Sequence, residues 1–139
     1  MPKSPVPAAA LRAGGVEGDR QRDLRYHGGP ERAVSLYSRE RIEQLRGEGH
    51  PIAPGTTGEN LTLSGIDWDL MVPGVRLRVG EALLELTKYA APCQNIAGSF
   101  RGGDMTRISH KLHPGWSRLY ARVLREGRVQ PGDPVEIEE

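Results

Sequence analysis

The sequence contains a single cysteine among its 139 residues, so no disulfide can form within the chain. Disulfides accumulate in oxidising compartments, and their exclusion favours a reducing, cytoplasmic location. The thiol of Cys93 must then serve either packing or chemistry. Free cysteine is often a small buried hydrophobe, and a lone intracellular thiol can also be a nucleophile, so the residue alone leaves both roles open.

The sequence also lacks the features of membrane and nucleic-acid-binding proteins. No apolar run approaches the ~20 residues that a membrane-spanning helix needs. Residues 5–11 are too short and too rich in proline for the core of a signal peptide. Nineteen basic and eighteen acidic residues leave a formal net charge of +1, with both signs interspersed. We therefore expect no membrane association and no nucleic-acid partner.

Aromatic residues are scarce, whereas glycine and proline are abundant. Phe, Trp and Tyr make up 5% of the chain, so the core must consist mainly of aliphatic side chains. Eighteen glycines and eleven prolines predict frequent turns between short elements, which favours a β-rich architecture over a helix bundle. The length, without repeats or linkers, predicts a single domain over residues 1–139.

Local patterns predict several strands and one short helix. The strands are expected at residues 33–37, 75–79, 82–87 and 135–137, the second and third of them forming a hairpin. Ser38 is placed to cap a helix that ends near Glu48. Apolar residues within 116–124 recur at helical spacing. Residues 120–124 followed by 126–129 also fit a hairpin, but the spacing favours the helix.

The first part of the chain shows little order in its sequence. Residues 1–14 have no clear period, and residues 14–25 are expected to form loops. His27 follows beside Gly28 and Gly29 in a tight turn where backbone can approach another group closely. A histidine in such a turn is either an ordinary loop residue or part of a site, and its neighbours do not decide between the two.

Two stretches have the most chemical potential. Pro92 forces the chain out of the strand at residues 82–87, so Cys93 is expected on a loop held by a rigid scaffold. A second loop offers N–H and hydroxyl groups that can cradle a phosphate or a polar heterocycle. It comprises residues 55–62 and includes Thr57, Gly58, Glu59 and Asn60. No Gly-Lys-Ser/Thr follows, which excludes a Walker loop, and a purely structural turn is the alternative.

His110 and His113 have the spacing of two metal ligands on one helical turn. A structural zinc site needs about four ligands, and the chain can add one cysteine. We therefore do not expect a metal site built on these two histidines.

Several segments together resemble one family, the MOSC domain, named after the C-terminal domain of molybdenum cofactor sulfurase. The resemblance covers nearly the whole chain in the right order, although each piece alone is weak. The matching pieces are Gly18-Asp19, residues 27–29, Ala33-Val34, residues 58–62, Gly65, Val79-Gly80, Pro92-Cys93 and residues 127–133.

The resemblance implies a compact, closed or nearly closed β-barrel with a few short helices. It also favours a strand at residues 120–124, against the helical spacing. Members of the family handle the molybdenum cofactor or activated sulfur through their cysteine, and some reduce N-hydroxylated compounds. The stand-alone bacterial type is the form that this chain resembles.

The chain departs from the family pattern in two places. Many members have an arginine two residues before the cysteine, where this chain has Ala91. Stand-alone members also usually begin with a strand before the equivalent of residues 2–6. That strand is not evident here, so we expect a shortened N-terminal strand and a less well covered barrel edge.

The leading hypothesis from the resemblance is a protein that binds the molybdenum cofactor. Cys93 would be the metal ligand and catalytic residue, because thiolate suits a metal that needs sulfur ligands. The cofactor would be held by His27, Thr57, Gly58, Glu59 and Asn60, with a phosphate held by Lys88, Arg101 or Lys111. Reduction of an N-hydroxylated small molecule would need a separate redox partner, because the chain has no flavin, haem or iron–sulfur signature.

Two alternatives remain open. Cys93 could accept sulfur as a persulfide from a cysteine desulfurase and pass it on, which would make the protein a sulfur carrier. No pyridoxal phosphate is expected on this chain in that case. The protein could instead be a non-catalytic barrel that binds a small ligand, with Cys93 merely buried. The chain is thus expected to be a molybdenum-dependent oxidoreductase, a sulfur transferase or no enzyme.

Overall fold

The computed structural model describes residues 9–12, 15–16, 32–92 and 94–138. These residues contain nine strands, one α-helix and four short 3₁₀ segments. The strands are β1 Ala9–Arg12, β2 Gly15–Val16, β3 Val34–Ser38, β4 Leu61–Leu63, β5 Arg76–Val79, β6 Ala82–Ala90, β7 Arg118–Arg125, β8 Gly127–Val129 and β9 Val135–Glu138. Helix α1 is Arg39–Gly47, and the 3₁₀ segments are Trp68–Leu70, Gln94–Ser99, Arg101–Gly103 and Met105–Ile108.

Six strands form one curled sheet in the order β4-β3-β7-β6-β5-β9. Only β3 and β4 run parallel, and the other neighbours are antiparallel. A smaller sheet has the order β2-β1-β8. The predicted fold class, mainly β and barrel-like with a few short helices, is confirmed. The larger sheet is a half-barrel whose outer strands, within the described part of the chain, are β4 and β9.

The hairpin of β5 and β6 forms as the alternation of its residues predicts. Leu77 and Val79 are buried, whereas the intervening arginines are exposed. The turn between the strands requires Gly80, which has a φ of +55°, and a Cβ there would lie 2.5 Å from a carboxylate oxygen of Asp133. A larger residue would therefore both strain the turn and displace the loop before β9.

Helix α1 begins and ends close to the predicted residues. The Ser38 hydroxyl accepts a hydrogen bond from the Arg41 amide at 3.1 Å, which satisfies one of the free N–H groups of the first turn. Ile42 and Leu45 are its buried residues and join the core. The helix ends at Gly47, as expected.

The helix that the spacing predicted within residues 116–124 is wrong, and the strand that the family resemblance favoured is confirmed, because residues 118–125 form the central strand β7. This strand pairs with β3 on one side and with β6 on the other. Leu119 and Ala121 alternate into the core, so the same apolar residues also satisfy a period of two. Pairing on both sides overrides the helical spacing. The alternative hairpin with residues 126–129 is also absent, since β8 pairs with β1.

Strand β1 occurs where the sequence showed no clear period, and strand β2 occurs where it predicted a loop. They contain four and two residues, which is too short for a hydrophobic period to be recognisable. Strand β1 is stabilised by pairing with β8, and Leu11 is fully buried in the core. The rest of residues 1–25 lies outside the described part of the chain. In that described part, no helix is long and apolar enough to span a membrane.

Candidate functional site

The loop of residues 53–60 is organised around the carboxylate of Glu59. This residue is 2% exposed. Its oxygens accept hydrogen bonds from the Gly55 amide at 2.9 Å, the Thr57 hydroxyl at 2.6 Å and the Thr62 hydroxyl at 2.9 Å. Gly58 has a φ of +79°, a conformation that other residues rarely adopt. The side chains of Thr57 and Glu59 are thus engaged within the loop.

Asn60 fastens this loop to the edge of strand β3. Its side-chain oxygen accepts hydrogen bonds from the Ser35 amide at 2.8 Å and the Ser35 hydroxyl at 3.1 Å. Its own amide donates to the Ser35 carbonyl at 2.9 Å. The loop therefore starts β4 in register with β3, and its position relative to the sheet is fixed by side chain and backbone together.

Arg118, the first residue of β7, connects the same loop to the end of β6. It is 7% exposed. One terminal nitrogen donates to the Thr57 carbonyl at 2.7 Å and the other donates to the Ala91 carbonyl at 3.1 Å. The family pattern would place an arginine at position 91, and the structure instead brings the guanidinium of Arg118 to the backbone of that residue.

The segment that contains Cys93 is held to the loop at both of its ends. Arg118 links Ala91 to Thr57 on one side. On the other side, the Ser99 hydroxyl donates to the Thr56 carbonyl at 3.1 Å. Cys93 itself lies outside the described residues. Ala91 and Ser99, which lie on either side of it in the sequence, are nevertheless both linked to the predicted glycine loop.

Lys88 lies on the same face of the sheet as Arg118. The register places Ser35, Tyr120 and Lys88 directly across from one another on three adjacent strands, and pairs Ala90 with Arg118. Directly opposite residues of antiparallel strands point to the same face, and residues two apart do as well. The structure therefore groups Lys88 with the residues that hold the 53–60 loop.

The other predicted cationic residues lie elsewhere, and His27 is outside the described residues. The Arg101 amide donates to Nδ1 of His50 at 2.9 Å, and its side chain reaches Gly49 after helix α1. Lys111 is exposed in the turn that precedes β7. These two residues stand on separate segments, so the structure does not group them with Lys88 and Arg118.

A cavity of about 270 Å³ lies beside the ends of β6 and β7. Its wall includes Trp68, Tyr89 and His110. The rings of Tyr89 and His110 stack in parallel with their centroids 3.6 Å apart. Among the residues that the structure describes, no group of three or more His, Cys, Asp or Glu side chains could hold a metal ion.

The turn of residues 107–116 is held by interactions of a different kind, centred on Trp116. The guanidinium carbons of Arg41 and Arg107 lie 4.7 Å and 4.0 Å from the centroid of its ring. Arg107 donates two hydrogen bonds to Glu48, both at 2.9 Å. The Tyr37 hydroxyl donates to the Trp116 carbonyl at 2.6 Å. Cation–π contacts and ion pairs therefore hold this turn.

Glu48 and Tyr37, which both interact with this turn, have pKa values shifted from the ordinary ones. The hydrogen bonds from Arg107 hold the pKa of Glu48 below its usual value. Burial raises the pKa of Tyr37 well above the usual range, although three nearby arginines oppose the shift. Glu48 is thus favoured as a carboxylate and Tyr37 as a neutral phenol.

Comparison with known proteins places this arrangement in a family. The family model of the MOSC domain matches residues 23–136. The chain belongs to the MOSC domain family. The resemblance inferred from the motifs is therefore confirmed over most of the sequence.

Relatives of the MOSC chain come from bacteria and a fungus. YflK of Bacillus subtilis (strain 168) is 35% identical over 124 residues, which cover 87% of this chain and 54% of YflK. YiiM of Escherichia coli (strain K12) is 30% identical over 128 residues, covering 88% of this chain and 56% of YiiM. A protein of Gibberella moniliformis (strain M3125 / FGSC 7600) named "Reductase" is 29% identical over 117 residues, which cover 80% of this chain and 20% of that protein.

Solved structures support the same assignment. The crystal structure of YiiM from Geobacillus stearothermophilus aligns with a TM-score of 0.73 and 27% identity, covering 98% of this chain and 63% of that chain. The present chain thus spans about half to two thirds of the length of YflK and the two YiiM proteins, and a fifth of the length of the fungal protein.

The sequence singled out the glycine loop as a candidate but missed the residues that position it. Arg118 and Ser35 were not predicted as part of the site. A signal was present, since Arg118 starts a run in which Leu119 and Ala121 alternate with larger polar residues. The helical interpretation of residues 116–124 concealed this alternation, because a helix would have directed Arg118 to another side.

Proposed function

We propose that this MOSC protein binds a molybdenum cofactor where the 53–60 loop meets residues 91–99, with Cys93 as the metal ligand. The observation that carries the proposal is the double connection of the cysteine segment to the loop, through Arg118 and through Ser99. Membership of the MOSC family supports the cofactor, and the relative named "Reductase" supports redox chemistry.

The groups around this junction suit an anionic, polar cofactor. Lys88 and Arg118 supply positive charge on one face of the sheet. Gly58 lets the backbone of the loop approach a ligand closely. Because Thr57, Glu59 and Asn60 have side chains engaged in holding the loop, we assign the contacts to its main chain and the phosphate to Lys88. His27 remains a predicted contact.

The proposed reaction is the reduction of an N-hydroxylated small molecule. It breaks the N–O bond, consumes two electrons and two protons, and releases an amine and water. The cofactor supplies two-electron redox chemistry at its metal when bound. The electrons come from a separate electron-carrier protein, which is the partner that the proposal requires. The thiolate of Cys93 supplies the soft ligand, and the sheet keeps its segment in place.

Metal analysis tests the proposal directly. The chain is produced in a host that makes the cofactor, purified without oxygen, and its molybdenum is measured by mass spectrometry beside that of Cys93→Ser. We expect about one molybdenum per chain in the wild type and less than about a tenth of that in the variant, because the soft ligand is lost. Ser64→Ala, at an exposed residue that follows β4, serves as the matched control.

Two outcomes would contradict the proposal. Equal molybdenum contents in the wild type and Cys93→Ser would exclude the cysteine as ligand. A wild type without molybdenum, whose Cys93 gains the mass of one sulfur atom on incubation with a cysteine desulfurase, would favour the sulfur carrier instead.

A further inference from the structure

The sheet order leaves the two parts of the proposed site without a direct connection by strand pairing. The 53–60 loop leads into β4, whose one partner among the described strands is β3, whereas Ala91 follows β6. Strand β7 lies between β3 and β6 and is the neighbour of both. A residue at the start of β7 is therefore the one placed to reach the loop on one side and the cysteine segment on the other.

Arg118 occupies that place, and its chemistry fits the task. A guanidinium presents several N–H donors in a rigid plane, so it can donate to two acceptors in fixed directions. Here the two acceptors are the Thr57 carbonyl at 2.7 Å and the Ala91 carbonyl at 3.1 Å. Both belong to backbone that has left the sheet and has no strand partner of its own.

Burying the guanidinium of Arg118 costs free energy, which indicates that its hydrogen bonds to Thr57 and Ala91 do more than fill space. Burial of an arginine is unfavourable unless its donors are satisfied, and an apolar side chain of similar length would fill the same volume. Ser99 provides a second link from Thr56 to the far end of the cysteine segment. The two links hold Ala91 and Ser99, on either side of Cys93 in the sequence. The link through Arg118 is the more rigid, because a guanidinium is planar whereas a serine hydroxyl can rotate.

We propose that Arg118 is a positioning residue that sets the distance between the 53–60 loop and the segment of Cys93. This inference rests on the proposed cofactor site, because it assigns the arginine a role in retaining what that site binds. Arg118 acts through the two carbonyls rather than by touching the cofactor. Its loss lets the loop and the cysteine segment move apart while the sheet stays folded.

Three variants separate this role from simple stability. Arg118→Met removes both hydrogen bonds but keeps an unbranched stem. Arg118→Lys keeps the charge, yet a single ammonium cannot reach both carbonyls in the geometry of a guanidinium. Arg122→Met is the matched control, because Arg122 lies on the same strand and pairs with Glu85 at 3.3 Å, away from both loops.

Two readouts are measured on each protein. The first is the rate at which molybdenum is lost from the purified holoprotein during dialysis. The second is amide hydrogen exchange over residues 55–60 and 90–91 in protein made without cofactor. We expect both to rise about tenfold in Arg118→Met and Arg118→Lys, as the loss of a buried charged hydrogen bond predicts. Arg122→Met should match the wild type in both.

Hydrogen exchange keeps the inference separate from the proposed function. Unchanged exchange in both Arg118 variants would overturn the positioning role, whatever the molybdenum content. Faster exchange with molybdenum lost at the wild-type rate would also overturn it, because the spacing would then not matter for retention. If Arg118→Met does not fold, Arg118→Lys decides between these outcomes. If Cys93→Ser kept its molybdenum, the proposed role of Cys93 as metal ligand would be refuted, whereas the positioning role of Arg118 would still be decided by hydrogen exchange.

Discussion

The 53–60 loop and the 107–116 turn are both irregular segments at the sheet, but different forces hold them. The loop closes around the buried carboxylate of Glu59, which accepts three hydrogen bonds from neutral groups. The turn depends on Trp116, whose ring faces two arginines that in turn pair with Glu48 and Asp69 near the surface. One segment is fixed by buried hydrogen bonds and the other by partly exposed charges.

The difference determines how each segment responds to its surroundings. Moving the loop would leave a charge buried without donors, so the loop is expected to keep its geometry when the salt concentration changes. Exposed ion pairs are weak and screened by salt, so the turn is expected to be adjustable. The loop is therefore suited to hold a cofactor, and the turn, which carries His110 beside the aromatic cavity, is suited to change shape.

The largest expected effect comes from removing the charge at the centre of the loop. Glu59→Gln should lower the free energy of unfolding by about 3 kcal/mol, because an amide group places donors against donors in a buried site. Urea unfolding followed by circular dichroism measures the change. Glu43→Gln is the control, since its exposed pair with Arg39 contributes less than about 0.5 kcal/mol. Similar losses in the two variants would mean that Glu59 does not organise the loop.

Trp116→Leu tests the other segment. Loss of the ring removes two cation–π contacts and buried area, and we expect a decrease of about 2 kcal/mol in the free energy of unfolding. Tyr120→Leu is a useful comparison, because a single described arginine lies over that ring, at 5.4 Å. The decrease in the free energy of unfolding should be smaller in Tyr120→Leu than in Trp116→Leu. If Trp116→Leu were as stable as the wild type, the ring would not be what holds the turn.

Tyr37→Phe tests the hydrogen bond that joins the turn to β3. We expect a loss of about 1 kcal/mol at neutral pH, because the Trp116 carbonyl loses its donor. Tyr37 has a raised pKa when folded, so its neutral form stabilises the fold below about pH 10, the ordinary tyrosine value. That contribution is lost as pH rises further. Between pH 7 and pH 11, the free energy of unfolding should fall more steeply with pH in the wild type than in Tyr37→Phe. Parallel curves for the two proteins would contradict the raised pKa of Tyr37.

Glu48→Gln has the smallest expected effect. The pair with Arg107 is partly exposed and should contribute about 0.5 kcal/mol after screening by solvent. The folded pKa of Glu48 is lowered, so this contribution is present above its unfolded pKa and disappears as pH falls through the folded value. Wild type and variant should therefore converge in acid and in 1 M salt. A difference that persisted in either condition would show that packing, rather than charge, is responsible.

Much of the fold could be predicted because it depends on local patterns. Alternation located the hairpin of β5 and β6, and the serine before α1 located the start of the helix. Of the predicted site residues, the glycine loop is linked to Ala91 and Ser99, and Lys88 shares a face of the sheet with Arg118. Arg101 lies instead near His50. The roles of His27 and Cys93 remain predictions, because both lie outside the described residues.

The sequence by itself determined that a single thiol follows a strand at Pro92 and that a glycine-rich loop is available elsewhere. The helical spacing and the family resemblance disagreed about residues 120–124. Only the tertiary structure decided that residues 118–125 are a strand and that Arg118 reaches both loops from it. The physical reason is that a run of apolar residues can satisfy both a helical and a strand period. Pairing with β3 and β6 selects the strand, and it places Arg118 between the loop that precedes β4 and the residue that follows β6, whose carbonyls it binds.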